Sequence, residues 1–146
     1  MGTRRADLDS VFERAPGLAA RVRGDDPDAI VVAARSALGR MTEAERIAVL
    51  NAHPRIGADA ASLSAASRRE QGRDVDDATI RQLSELNEEY ERRFGFRFVV
   101  FVRGRAKAEI VPVLRERLLR TREQELAKGI DEFLAIARDR LRGMQR

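Results

Sequence analysis

One short run constrains this fold more than any other feature: Phe96-Arg97-Phe98-Val99-Val100-Phe101-Val102 is the one segment rich in aromatic and β-branched residues. Such side chains suit a pleated, half-buried backbone, so an extended conformation is expected there. A lone strand has nothing to pair with, and its amides and carbonyls must find other partners. The run is therefore expected to be a buried extended connector, held by side-chain packing and by bonds to loops or side chains, inside an otherwise all-α protein.

Elsewhere the apolar residues recur at helical spacing. Asp26 before Pro27 is a start signal, because a carboxylate caps free amides and proline is tolerated in the first turn; Ile30, Val31, Ala34, Leu38 and Met41 mark one face. Thr42 and Glu45 make a capping-box pattern that opens a short helix ending near Ala52-His53. Asp76 or Asp77 can cap a longer helix in which Ile80, Leu83, Asn87, Tyr90 and Phe94 share a stripe and Gly95 is the stop. After Gly104 a helix with Val113, Leu114 and Leu118 is expected, with Pro112 in or near its first turn, and Leu126, Ile130, Phe133, Ala137 and Leu141 mark a terminal helix. Ser10 with Glu13 offers a capping box ahead of Pro16-Gly17, and a helix from Ser64 to Gln71 is bounded by Gly72. The expectation is one compact bundle of about seven or eight helices with a single extended connector. A length of 146 residues suits one core, so residues 1–146 read as one domain.

Composition removes whole classes of chemistry. The chain has no cysteine, which excludes disulfides, thiolate nucleophiles and cysteine-ligated metal, and its one histidine excludes multi-histidine metal sites. No apolar run is long enough to span a bilayer, and Met1-Gly2-Thr3-Arg4-Arg5 leads into Asp7 and Asp9 rather than a signal core, so a cytoplasmic location is expected. A net charge of +4 can attract anions without naming one. Acids and arginines are interspersed, as in Glu88 to Arg93 and Arg115-Glu116-Arg117, which reads as solvated helix faces.

Three places could carry chemistry. His53 is the one side chain that titrates near neutrality unperturbed, and Pro54 pushes it out of regular helix into a turn bracketed by Gly57. It suits an acid or base, and equally a histidine packed over a helix C-terminus. Ser67, Glu70 and Gln71, at i, i+3 and i+4, share one face of their helix; that face can be a solvated surface or, if buried, can make Glu70 a proton donor. Arg140 lies among Arg138 and Arg142, where spacing does not distinguish a pocket residue from a basic tail.

Taken in order, His53-Pro54-Arg55-Ile56-Gly57, Ser67-Arg68-Arg69-Glu70-Gln71, Leu86 to Phe96, Phe98-Val99-Val100 and Ile136 to Leu141 form a pattern that resembles the OHCU (2-oxo-4-hydroxy-4-carboxy-5-ureidoimidazoline) decarboxylase family. The resemblance covers roughly Thr42 to Leu141. It implies an all-helical, usually dimeric, cofactor-free carboxy-lyase that converts OHCU to S-allantoin during urate degradation. By motif, His53 is the catalytic histidine, Glu70 its acidic partner, Ser67 and Gln71 substrate-binding groups beside Pro54, and Arg140 the arginine that holds the substrate. The backbone of Phe98 to Val100 is expected to meet the ring, and a hydroxyisourate hydrolase is the expected functional neighbour. The chain departs from the pattern early: where family members carry a Glu-x-Ser-Pro-Trp-like element it reads Arg14-Ala15-Pro16-Gly17-Leu18 and has no tryptophan.

Two other classes compete. An arginine-rich helical nucleic-acid-binding module is motivated by the pI near 10.5, but the chain has no reading motif or dense basic stripe. A noncatalytic interaction domain on the same fold is opposed by the presence of His53, Glu70 and Gln71 together.

Overall fold

In the computed structural model, Asp26 accepts a 2.8 Å hydrogen bond from the Ala29 amide through Oδ1 and Pro27 fills the first helical position, so the signals at 26 and 27 do start a helix. The structure describes residues 8, 10–13, 15, 17–22, 26–57 and 77–144. Within them lie α1 (Leu18–Arg21, a single turn), α2 (Pro27–Gly39), α3 (Glu43–Asn51), α4 (Asp77–Phe94), α5 (Lys107–Arg117) and α6 (Arg122–Met144). Five helices longer than one turn, rather than seven or eight, are thus present among the described residues. The helix expected over 64–71 lies outside them, and the capping box expected at Ser10 and Glu13 does not form: Leu8, Ser10 and Val11 are helical, the Phe12 amide donates to the Leu8 carbonyl, and the chain leaves this turn at Phe12, so Ser10 lies near its end and not at its start.

The Thr42–Glu45 capping box forms as expected: the Glu45 amide donates to Thr42 Oγ1 and the Thr42 amide to Glu45 Oε1. Thr121 and Gln124 make the same reciprocal pair ahead of α6. Pro112 differs from expectation, because α5 begins at Lys107 and holds the proline in its interior. The start is set by Glu109, whose Oε2 accepts from the Ala106 amide at 2.7 Å. The ring costs one helical bond, but Ala108 and Pro112 are both exposed, so water can meet the freed carbonyl.

The core is continuous from Leu8 to Leu141, with Phe12, Leu18, Leu38, Leu50, Leu83, Ile110 and Leu134 essentially fully buried. Helix α6 is the spine: α2 and α3 pack along it, and α4 packs on α5. Gly129 is where α3 comes closest; a Cβ there would stand 3.1 Å from a Leu50 methyl, so the missing side chain admits the end of the helix that leads into His53. Residues 96–102 form neither helix nor strand, and all but Arg97 and Phe101 are buried. A buried connector outside the helices is therefore as expected.

Candidate functional site

Helix α3 stops at Asn51, and Pro54 lies two residues after its Ala52 cap, so His53 sits in the turn rather than in the helix. Gly57 closes the turn with φ 85°, a left-handed backbone that suits glycine. Two side chains hold this turn from outside. Asn87 Nδ2 donates to the Ile56 carbonyl at 3.1 Å and to the Leu83 carbonyl at 2.9 Å. Arg97 Nη1 donates to the carbonyls of Asn51 (2.9 Å) and His53 (2.8 Å), and its backbone amide donates to Asn51 Oδ1. The beginning of the connector is thereby tied to the histidine turn.

His53 is buried, its ring edge-on to Phe133 with centroids 5.1 Å apart. Its Nε2 lies inside the protein without a hydrogen-bond partner among the described residues. Burial first, and then the charge of Arg140, hold the imidazole far below its ordinary value, to about 3, while Glu13 pulls the other way. At neutral pH His53 is uncharged, and a neutral imidazole nitrogen can accept a proton or a hydrogen bond.

Arg140 is the C-terminal arginine that turns inward. Arg138 and Arg142 are exposed and reach Asp28 on α2, whereas Arg140 is buried. Its Nη1 donates to the carbonyls of Val11 (3.1 Å) and Ser10 (3.4 Å), and its Nη2 meets Glu13 Oε1 at 2.9 Å. Glu13 was not among the site residues expected from sequence; read as a helix-capping partner for Ser10, it sends its carboxylate to Arg140 instead. No local pattern could have revealed a pair separated by 127 positions.

The middle of the connector is fixed by a buried charged group. Glu125, fully buried, accepts through Oε1 from Tyr90 Oη and from Arg117 Nε, both at 2.7 Å. Arg117 Nη1 then donates to the Val99 carbonyl at 2.7 Å, and the guanidinium carbon lies 4.6 Å from the Phe98 ring centre. This corrects the reading of Arg115-Glu116-Arg117 as a wholly solvated face, since Arg117 points into the core. Burial pushes the Tyr90 hydroxyl well above its ordinary value, so it serves as a hydrogen-bond donor. Asn87 and Tyr90 were legible as polar residues in phase with Leu83 and Phe94.

The structure thus puts His53 within electrostatic reach of Arg140, joins the connector carrying Phe98 and Val100 to the His53 turn, and places Pro54 half-buried beside His53. Ser67, Glu70 and Gln71 lie outside the described residues. Compared with known proteins, residues 2–142 match the profile of the OHCU decarboxylase family. This chain belongs to that family. It is 32% identical over 139 residues to the 2-oxo-4-hydroxy-4-carboxy-5-ureidoimidazoline decarboxylase of Haloferax volcanii, covering 90% of this chain and 82% of that one. It is 30% identical to the uric acid degradation bifunctional protein of Bacillus subtilis, covering 92% of this chain but 28% of that longer protein. A crystal structure of an OHCU decarboxylase in the presence of (S)-allantoin shares the fold, with a TM-score of 0.76 at 21% identity over 94% of this chain and 96% of that one. Among the described residues no helix is long and apolar enough to cross a membrane.

Proposed function

We propose that this chain, acting as one domain, catalyses the decarboxylation of OHCU to (S)-allantoin in urate degradation. The observation that carries the reading is the buried, neutral His53, its Nε2 unpartnered among the described residues and within electrostatic reach of Arg140, in a chain that belongs to this family.

The substrate's structure explains the rest of the chemistry. Its carboxylate sits on a hydroxyl-bearing ring carbon next to a ring C=N. As the C–C bond to carbon dioxide breaks, its electron pair forms a C=C bond and the imine pair moves to nitrogen, which takes a proton. The resulting enol gives up its hydroxyl proton, and the ureido-bearing carbon gains one on a single face. The electron sink is in the substrate, so the enzyme's task is to orient the ring and move protons. Burial and Arg140 make His53 a weak base on its own, so the carboxylate of Glu70, as its acidic partner, would restore the basicity it needs to receive the hydroxyl proton. Arg140, Ser67, Gln71 and Pro54 would fix the ring, against the backbone of Phe98 and Val100.

Freshly made OHCU should disappear faster with the protein than by spontaneous decay, and His53→Asn should remove most of the acceleration. Equal rates with and without protein would overturn the function. The resemblance also supports a homodimer working in the cytoplasm, supplied by a hydroxyisourate hydrolase; light scattering on the purified chain tests the dimer.

A further inference from the structure

Arg140 has a long, flexible side chain that loses rotamer entropy when it is fixed. Among the groups that fix it are three from the other end of the chain: the carbonyls of Ser10 and Val11 and the carboxylate of Glu13. Both charges are withdrawn from water, with side-chain exposures of 6% for Arg140 and 11% for Glu13. A desolvated ion pair holds its partners far more firmly than a surface pair, because water does not compete for either charge.

The backbone is shaped to make this contact. Glu13 has φ 51°, a left-handed conformation that is strained for a non-glycine residue. Two overlapping turns enclose it, from the Glu13 amide to the Ser10 carbonyl and from the Ala15 amide to the Phe12 carbonyl. Strain at a residue whose carboxylate reaches a candidate site is the kind that a surrounding structure retains for function. Glu13 also acts on the same imidazole as Arg140 and in the opposite sense.

We propose that Glu13 is a positioning residue of the His53 site, locking the Arg140 guanidinium in the orientation from which it meets substrate and balancing its charge beside His53. The proposal rests on Arg140 belonging to a decarboxylase site. It goes beyond that reading by adding the N-terminal segment to the site's working parts.

The test is a double-mutant cycle on OHCU turnover with Glu13→Gln, Arg140→Ala and the two combined, with unfolding temperatures measured alongside. Glu13→Gln is expected to raise KM about tenfold or more with kcat within about threefold, the signature of lost binding orientation rather than lost chemistry. Because Glu13 works through Arg140, the double variant should be no worse than Arg140→Ala alone. Glu13→Asp, which keeps the charge, should hold KM within about threefold of the unaltered chain. Losses that simply add in the double variant, an unchanged KM in Glu13→Gln, or a KM in Glu13→Asp as high as in Glu13→Gln would overturn the proposal. An unaltered chain that fails to accelerate OHCU decay removes the proposed function and this inference with it. An active chain with additive losses removes this inference alone.

Discussion

Replacing Glu125 by Leu tests the buried charged group that holds the connector. The carboxylate is fully buried and takes two 2.7 Å hydrogen bonds on Oε1, from Tyr90 and Arg117, while Arg120 Nε lies 3.6 Å from Oε2. Removing it leaves Arg117, whose side chain is only 4% exposed, without its counter-charge, a change that costs about 3–5 kcal/mol. The freed Tyr90 hydroxyl is part of that figure, since groups in one network do not add. For a chain of this size each kcal/mol lowers Tm by about 2–4 °C, so Glu125→Leu should unfold about 6–20 °C earlier. Domains of this kind carry about 5–15 kcal/mol in all, which makes this a large share. The reasoning predicts a rescue as well: adding Arg117→Met removes the stranded charge and should recover most of the loss. Thermal unfolding followed by circular dichroism reads both. A single variant within about 2 °C of the unaltered chain, or a double variant as unstable as the single one, would refute the reasoning.

Other consequences can be checked on the same purified chain. His53 is the one histidine, and its folded pKa lies below the unfolded value of 6.5; the unfolded chain therefore binds the extra proton as pH falls, and stability is lost from about pH 6.5 down toward about 3. The single set of imidazole resonances should not titrate near 6.5, and a midpoint there would contradict the buried placement. Gly57→Ala should cost about 1–2 kcal/mol through its left-handed φ of 85°, because the added Cβ would meet Leu83 at an ordinary 3.6 Å; denaturant titration measures it. Arg97→Met should lower OHCU turnover more than stability, since the carbonyls it leaves are those of Asn51 and His53 at the site; a fall in Tm with kcat/KM intact would contradict this.

Features decided locally were legible in the sequence. A cap is a contact over three or four residues, so Asp26-Pro27 and Thr42-Glu45 announced α2 and α3, and Pro54 announced the break that exposes His53 to the site. The connector could be foreseen because a single strand-like run lacks a partner. Pro112 was misplaced because α5 is opened by a glutamate reaching back to an alanine amide, without a capping side chain at that alanine. Arg117, Glu125, Arg140 and Glu13 look like ordinary members of charged stretches, and only the packing of distant segments removes them from water. The choice of Arg140 over Arg138 and Arg142 has the same cause: Arg140 is two residues from each, about 200° round the helix, so it faces inward while the other two meet Asp28.

The central claim is that this chain directs the protons of OHCU decarboxylation through His53, and the handedness of the product tests it most directly. OHCU made in situ should be converted to levels of (S)-allantoin well above the racemate, read as optical rotation or circular dichroism of the product. With His53→Asn at the same concentration and an unchanged fold, the product should be racemic and formed at the spontaneous rate. Racemic allantoin from the unaltered chain, or undiminished (S)-product from His53→Asn, would contradict the account.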